Sequence, residues 1–287
     1  MLAIYRKEMK IYFSGVFGYF IAALLLLFGG LFTVIFHLIT RYTQFAYTLV
    51  SMKWVLIVAI PFLSMRAIAE ERHNRTDQLL YSLPIPLWEV VMGKFFALAT
   101  VFFIPTAVMA VYPLLLSALG PISLPSAYGA LLAYFLMGAS LIALCMFISS
   151  LVENQIVAAV LCIGGLLVLY FLNFFVALLP TSPIVSFLLC LLGSLGVGAV
   201  LWRISKSLAV GLLTAAVLCG ATAAVYFLNT ALFASLIQRF LTAASPFVRF
   251  DGFANGRLDL PALIFYLTFI GFFLFLTVRS MEKRRLV

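Results

Sequence analysis

Long apolar runs alternate with short polar punctuation along the chain. A helix crossing the hydrocarbon of a bilayer needs about 20 predominantly apolar residues. Such runs lie at about 17–39, 49–68, 95–119, 126–150, 155–179, 184–202, 208–229 and 261–279. They predict eight spanning helices in an all-α polytopic membrane protein, because a helix satisfies its own backbone hydrogen bonds inside lipid. The second run is the most polar, with Lys53 near its start and Pro61 inside it. Pro105 and Pro113 predict a kink in the third, where neighbouring helices must satisfy the freed carbonyls.

Three stretches outside these runs have patterns of their own. At 1–14, Leu2, Tyr5, Met9, Tyr12 and Phe13 share one helical face, with Arg6, Lys7 and Lys10 elsewhere on the wheel. That pattern predicts a helix lying in the membrane interface with its cations at the phosphates. Within 231–260, Leu232, Phe233, Leu236, Ile237, Phe240 and Leu241 are interleaved with Ser235, Gln238 and Arg239. This is a short amphipathic helix, too polar to span, on the outer side. The third stretch, 66–94, separates the second run from the third.

Composition narrows the class. The chain has 287 residues, of which 66% are hydrophobic and 9% charged, with a mean hydropathy of +1.22. Soluble domains are roughly 45–50% apolar and about 25% charged, so a water-soluble cytosolic enzyme and a free nucleic-acid binder are excluded. The net charge of +9 sits at the ends of apolar runs, where anionic headgroups account for it. An inside N-terminus puts Arg6, Lys7, Lys10, Arg66, Arg72, Arg75, Lys94, Arg203, Lys206, Arg279, Lys283, Arg284 and Arg285 in the cytoplasm. That is 13 of the 18 basic side chains. The positive-inside bias therefore favours both termini inside, ending in a basic tail at 280–287. Cys145, Cys162, Cys190 and Cys219 all lie in apolar runs without C-x-x-C spacing and read as small buried hydrophobes. Met1 to Phe28 resembles a signal peptide superficially. Its apolar run continues to Ile39 with no cleavage site after it, which predicts a retained first helix. The whole chain reads as one transmembrane domain, 1–287.

The chemistry concentrates in 69–94, where residues 70–94 read EERHNRTDQLLYSLPIPLWEVVMGK. Thr76 can cap a short helix with Asp77 at its positive end. Leu79, Leu80 and Leu83 form one apolar edge, and Pro84 ends the helix. Pro86 suits the first turn of the next helix, and Trp88 and Lys94 suit a membrane interface. The segment reads either as a rigid hook that docks on a soluble partner or as a solvated loop.

At these residues the chain resembles the permease subunits of type-2 ABC exporters, most closely the gliding-motility subgroup. The resemblance rests on Glu70-Glu71-Arg72, Thr76 to Leu80, Leu83-Pro84, Trp88-Glu89 and Gly93-Lys94. It extends to Lys7-Glu8, Tyr12-Phe13, Gly18-Tyr19, Ser245-Pro246-Phe247, Phe250, Phe253, Gly256, Asp259-Leu260 and the tail from Phe273 to Arg285. It implies an interfacial N-terminal helix, a cytoplasmic coupling helix and a re-entrant outer segment before the last span. It also implies two ABC ATPase subunits, which carry the ATP and Mg, and a second permease copy or paralogue. An extracytoplasmic companion protein is left open. The expected home is a bacterial-type inner membrane. The docking surface is expected at Glu70, Glu71, Arg72, Thr76, Asp77, Gln78, Leu79 and Leu80, with Leu83 and Pro84 behind it. Glu153 and Asn154 are either a second cytoplasmic contact or a plain turn. The chain departs from the family in two ways. A helix pair at 184–229 is added to the usual six, and Arg75 and Gln78 stand where the family often has Gly and an acid.

Rival readings are weaker. Glu70-Glu71 with Arg75 fits the E-E-x-x-x-R pattern of intramembrane CAAX-type proteases, whose paired carboxylates polarise a water. That family also needs histidines from later helices, and His37 and His73 both fall outside the stretch after the motif. A channel or ATPase-independent carrier tends to keep ionisable groups at mid-membrane. Here His37 lies near one end of a span and Asn173 is neutral. No G-x-x-x-x-G-K-[ST] phosphate loop occurs, so no nucleotide cofactor is expected in this chain. The 29 Phe suit apolar cargo and lipid contact equally.

Overall fold

The computed structural model describes residues 1–73, 86–178, 183–184, 187–188, 191–192, 194–196, 208–228, 236–254 and 259–285, and helix is the only regular structure among them. Six helical stretches among the described residues are long and apolar enough to cross a membrane: Val16–Ile39, Ala46–His73, Leu87–Ser117, Leu124–Leu151, Gln155–Ala177 and Leu260–Arg284. The described residues fall into two compact units, Met1–Tyr170 with Pro246–Val287, and Phe171–Ser245.

In the first unit, α1 (Leu2–Ser14) precedes α2 (Val16–Thr33), and the extended backbone of Gly15 turns the chain between them in one residue. The bend is tight. A Cβ at Gly18 would lie 2.7 Å from the Tyr12 carbonyl oxygen. α2 ends in a π-helical turn, Val34–Ile39. The next span is α3 (Ala46–Ser64), broken only at Met65 before α4 (Arg66–His73). Sequence patterning ends this span at residue 68. The helix instead runs on through Glu70, Glu71 and Arg72, because folding supplies those charges with partners that periodicity cannot see.

Pro86 starts α5 (Leu87–Met109), and α6 (Val111–Ser117) continues it after a break at Ala110. Pro113 has no N–H to offer the Met109 carbonyl, so the expected kink falls there. The helix begins eight residues before the predicted 95, which carries Lys94 inside it. α7 (Leu124–Leu151) opens with Ser123 and a proline in its first turn. The Asn154 carboxamide oxygen accepts from the Ile156 N–H at 2.8 Å and starts α8 (Gln155–Ala177).

α7 is the centre of this unit. Leu131, Tyr134, Met137, Leu141, Ile142, Cys145 and Met146 are buried around its circumference, with Ala139, Ser140 and Ala143 between them. Lipid tails are as apolar as these side chains, so helices associate through close packing rather than flight from water. Small residues permit that approach. A Cβ at Gly138 would collide with the Phe102 ring of α5.

The second unit holds α9 (Leu208–Leu228) and α10 (Leu236–Ala244). Phe187 stacks on Tyr226 at 4.4 Å, and Ser194 Oγ meets Cys219 Sγ at 2.9 Å. Contacts that advance along one stretch while retreating along the other are those of antiparallel packing. Much of the expected span 184–202, and residues 231–235 of the amphipathic stretch, lie outside the described residues.

Returning to the first unit, α11 (Pro246–Arg249) and α12 (Asp251–Ala254) precede the last helix, α13 (Leu260–Arg285). Phe247, Phe250 and Phe253 turn one buried face inward. Lys53 of α3 donates to the Phe247 carbonyl at 2.9 Å and to Asp251 at 2.5 Å. The Tyr266 hydroxyl of α13 donates to the Pro246 carbonyl at 2.9 Å.

Candidate functional site

At the end of the first unit that carries α1, three helices meet around one buried cation. Lys94 of α5 is 2% exposed. Its ammonium lies 2.8 Å from Glu8 of α1 and 2.9 Å from Glu71 of α4. It also donates to the Ala67 carbonyl at 2.8 Å. All three ammonium protons therefore have acceptors, the condition under which a buried charge is tolerable. Lys7 adds a partly exposed contact to Glu71 at 3.2 Å. Two lysines face two glutamates, so the cluster is neutral.

α1 is held to this cluster by its whole inner face. The Tyr12 hydroxyl donates to the Leu63 carbonyl at 3.0 Å. Burial, reinforced by nearby Glu8, pushes that phenol up, so it stays neutral and keeps donating. Tyr5 reaches Thr100 of α5 at 3.2 Å. A Cβ at Gly93 would meet Ile4 and the Met1 carbonyl at 3.2 Å, so glycine there lets α1 lie close over α5. Arg6 and Lys10 point outward and are exposed, while Phe13 is half-buried and its ring meets Tyr19 edge-on at 5.7 Å. Arg66 grips Glu70 through two hydrogen bonds of 2.7 Å and lies over the Phe17 ring. These groups enclose a polar cavity of about 210 Å³.

The far side of α4 is fixed to α7. Ser149 Oγ accepts from the Ala69 N–H at 3.1 Å and donates to the Met65 carbonyl at 3.3 Å. Buried Arg72 donates to the Ser150 carbonyl. That same carbonyl accepts from Ser280 of α13 at 3.3 Å. Arg284 reaches the Leu151 carbonyl at 2.9 Å and exposed Glu153 at 3.3 Å. Glu153 and Asn154 therefore occupy the α7–α8 turn, one paired to α13 and the other starting α8.

The sequence reading put Glu70, Glu71 and Arg72 on a docking surface. In the structure Glu71 and Arg72 are turned inward, and Glu70 is half-buried against Arg66. Thr76, Asp77, Gln78, Leu79, Leu80, Leu83 and Pro84 lie outside the described residues. Glu71, before that stretch, is tied to Lys94, after it. Glu8 had no role in the sequence reading beyond its place in a motif. Its position four residues before Tyr12, on the same face, was the available signal.

At the opposite end, buried His37 bridges α2 and α3. Its Nδ1 lies 2.7 Å from the Tyr42 carbonyl and its Nε2 lies 3.2 Å from Thr48 Oγ1. A carbonyl only accepts, so Nδ1 carries a proton, and Nε2 meets the Thr48 hydroxyl. Cys145 and Cys162 are buried and free, as small hydrophobes; Cys190 lies outside the described residues. Among the described residues no group of three or more His, Cys, Asp or Glu is placed to hold a metal.

The family model described as ABC-2 family transporter protein matches residues 35–186, more than half of the chain. No curated protein matches it.

Proposed function

The chain belongs to the ABC-2 family of transporter proteins, and from that premise we propose how this multi-pass permease subunit is driven. Two ATPase subunits bind ATP and Mg beneath the membrane and grip the 74–85 connection of each of two permease chains, this one and a second copy or a paralogue. ATP moves the permease only as far as it binds one arrangement better than another. The direction is export. Both termini lie in the cytoplasm of a cell with a bacterial-type inner membrane, a reading supported by the 13 of 18 basic side chains that it puts inside.

One observation carries this reading: Lys94 binds Glu8 and Glu71 together at the root of the 74–85 connection. A push on a connection with free ends would be absorbed locally. Here one end is locked through Arg72 and Ala69 to α7, and the other through Lys94 to α1 and α4. Displacement of the connection therefore passes to α1, α4, α5 and α7 as a group. Coupling of this kind needs a contiguous, stiff network with two arrangements. The same ion pairs disfavour the protease reading, because Glu70 and Glu71 are both held by cations rather than poised over a water.

The test is Leu79→Asp with Leu80→Asp. The variant inserts normally but loses permease-stimulated hydrolysis by its partner ATPase in reconstituted vesicles. Stimulation equal to that of the unaltered chain would remove the docking role from this segment.

A further inference from the structure

Between the last turn of α7 and the end of α13 lies a cavity of about 660 Å³ that the coupling scheme does not use. Its apolar floor is made by Phe147, Leu151 and Leu276, and its rim by Arg279, Lys283 and Arg284. Arg279 and Lys283, spaced i, i+4, share one face of α13, and Arg284 lines the cavity beside them. Arg279 lies over the Phe275 ring at 5.2 Å, so its guanidinium stays beside apolar side chains. Its contact with Glu282 at 3.1 Å is exposed on both sides, as is the Arg284 contact with Glu153. Exposed pairs of this type are weak, and they leave the rim cationic.

We infer that this cavity binds the headgroup and upper acyl chains of an anionic phospholipid. A cationic rim above a greasy floor, where a spanning helix leaves the bilayer, matches such a lipid in both charge and polarity. Basic pockets between helices at a membrane surface attract anionic headgroups by these forces. Free phosphate satisfies the rim alone and gains nothing from Phe147, Leu151 or Leu276. A zwitterionic lipid fills the floor but adds no net charge to meet the rim. The site also borders the Ser150 carbonyl, where Arg72 and Ser280 converge, so a seated lipid braces the junction of α4, α7 and α13. The inference does not depend on the docking role of the 74–85 connection.

The experiment uses the full chain purified in detergent and offered equal amounts of phosphatidylglycerol and phosphatidylcholine, with retained lipid counted by native mass spectrometry. The unaltered chain retains phosphatidylglycerol preferentially, and millimolar inorganic phosphate does not displace it. Arg279→Gln with Lys283→Gln lowers that preference by about tenfold or more, as two lost surface charges require. Arg279→Lys with Lys283→Arg keeps it. Equal retention of both lipids by the unaltered chain would overturn the assignment. So would displacement by phosphate, an undiminished preference in the neutral pair, or an equal loss in the charge-preserving pair.

Discussion

Lys94 is where a single side chain matters most. Truncating one partner of a buried ion pair leaves the others charged and stranded, at a cost of about 3–5 kcal/mol. Lys94→Met strands buried Glu8 and leaves Glu71 only its partly exposed contact with Lys7, so the expected loss lies in this range, read as a lowered unfolding midpoint in detergent. Adding Glu8→Gln and Glu71→Gln to Lys94→Met removes the stranded charges and recovers part of the loss. Arg66→Ala is expected to cost no more than about 1 kcal/mol, because the Arg66–Glu70 pair is partly exposed and links two residues of one helix turn. An equal loss from Arg66→Ala and Lys94→Met would mean that burial does not set the ranking. The Lys94 centre was only half legible in the sequence. A lysine beside Trp88 at the start of an apolar run looks like an interface anchor. Its partners lie 86 and 23 residues away in sequence, and only folding brings the three together.

Helix boundaries were legible wherever apolar periodicity or proline sets them. Asn154, Pro86 and Pro113 all act where simple chemistry puts them. Boundaries failed where charge hides helix, as at α4, whose Glu70-Glu71-Arg72 interrupts the apolar run until Arg66, Lys94 and the Ser150 carbonyl are supplied. Glycine function was legible only as a general tendency to close packing. Gly138 shows the specific cause, since any Cβ meets the Phe102 ring. Gly138→Leu should force α5 and α7 apart and destabilise by about 1–3 kcal/mol, the usual range for overpacking; Gly164→Leu, which has open space around it, should not. Unfolding in detergent distinguishes them. The short helices α11 and α12 depend on Lys53 in the same way. Lys53→Met removes the donor to the Phe247 carbonyl, and amide hydrogen exchange over 247–254 should quicken. Unchanged exchange would show that the phenylalanines alone hold these helices.

For the whole molecule, the class was legible from composition, and the family match agrees with the motifs that suggested it. The number of crossings was less so, because apolar runs cannot say which of them pair. Six spanning helices stand among the described residues, and the pair at 184–229 adds two more on the sequence reading. Reporter fusions after Arg75 and after Ser205 should both read cytoplasmic; an external signal at Ser205 would break the eight-crossing arrangement. The Lys53–Asp251 contact bears on how such a chain is made, for its members are 198 residues apart. At ribosomal speeds of about 5–20 residues per second, the lysine waits roughly 10–40 s for its carboxylate. Throughout that interval the nascent protein must shelter a naked ammonium with water, lipid phosphate or a helper. This end of the first unit can close only after residue 251 has been made.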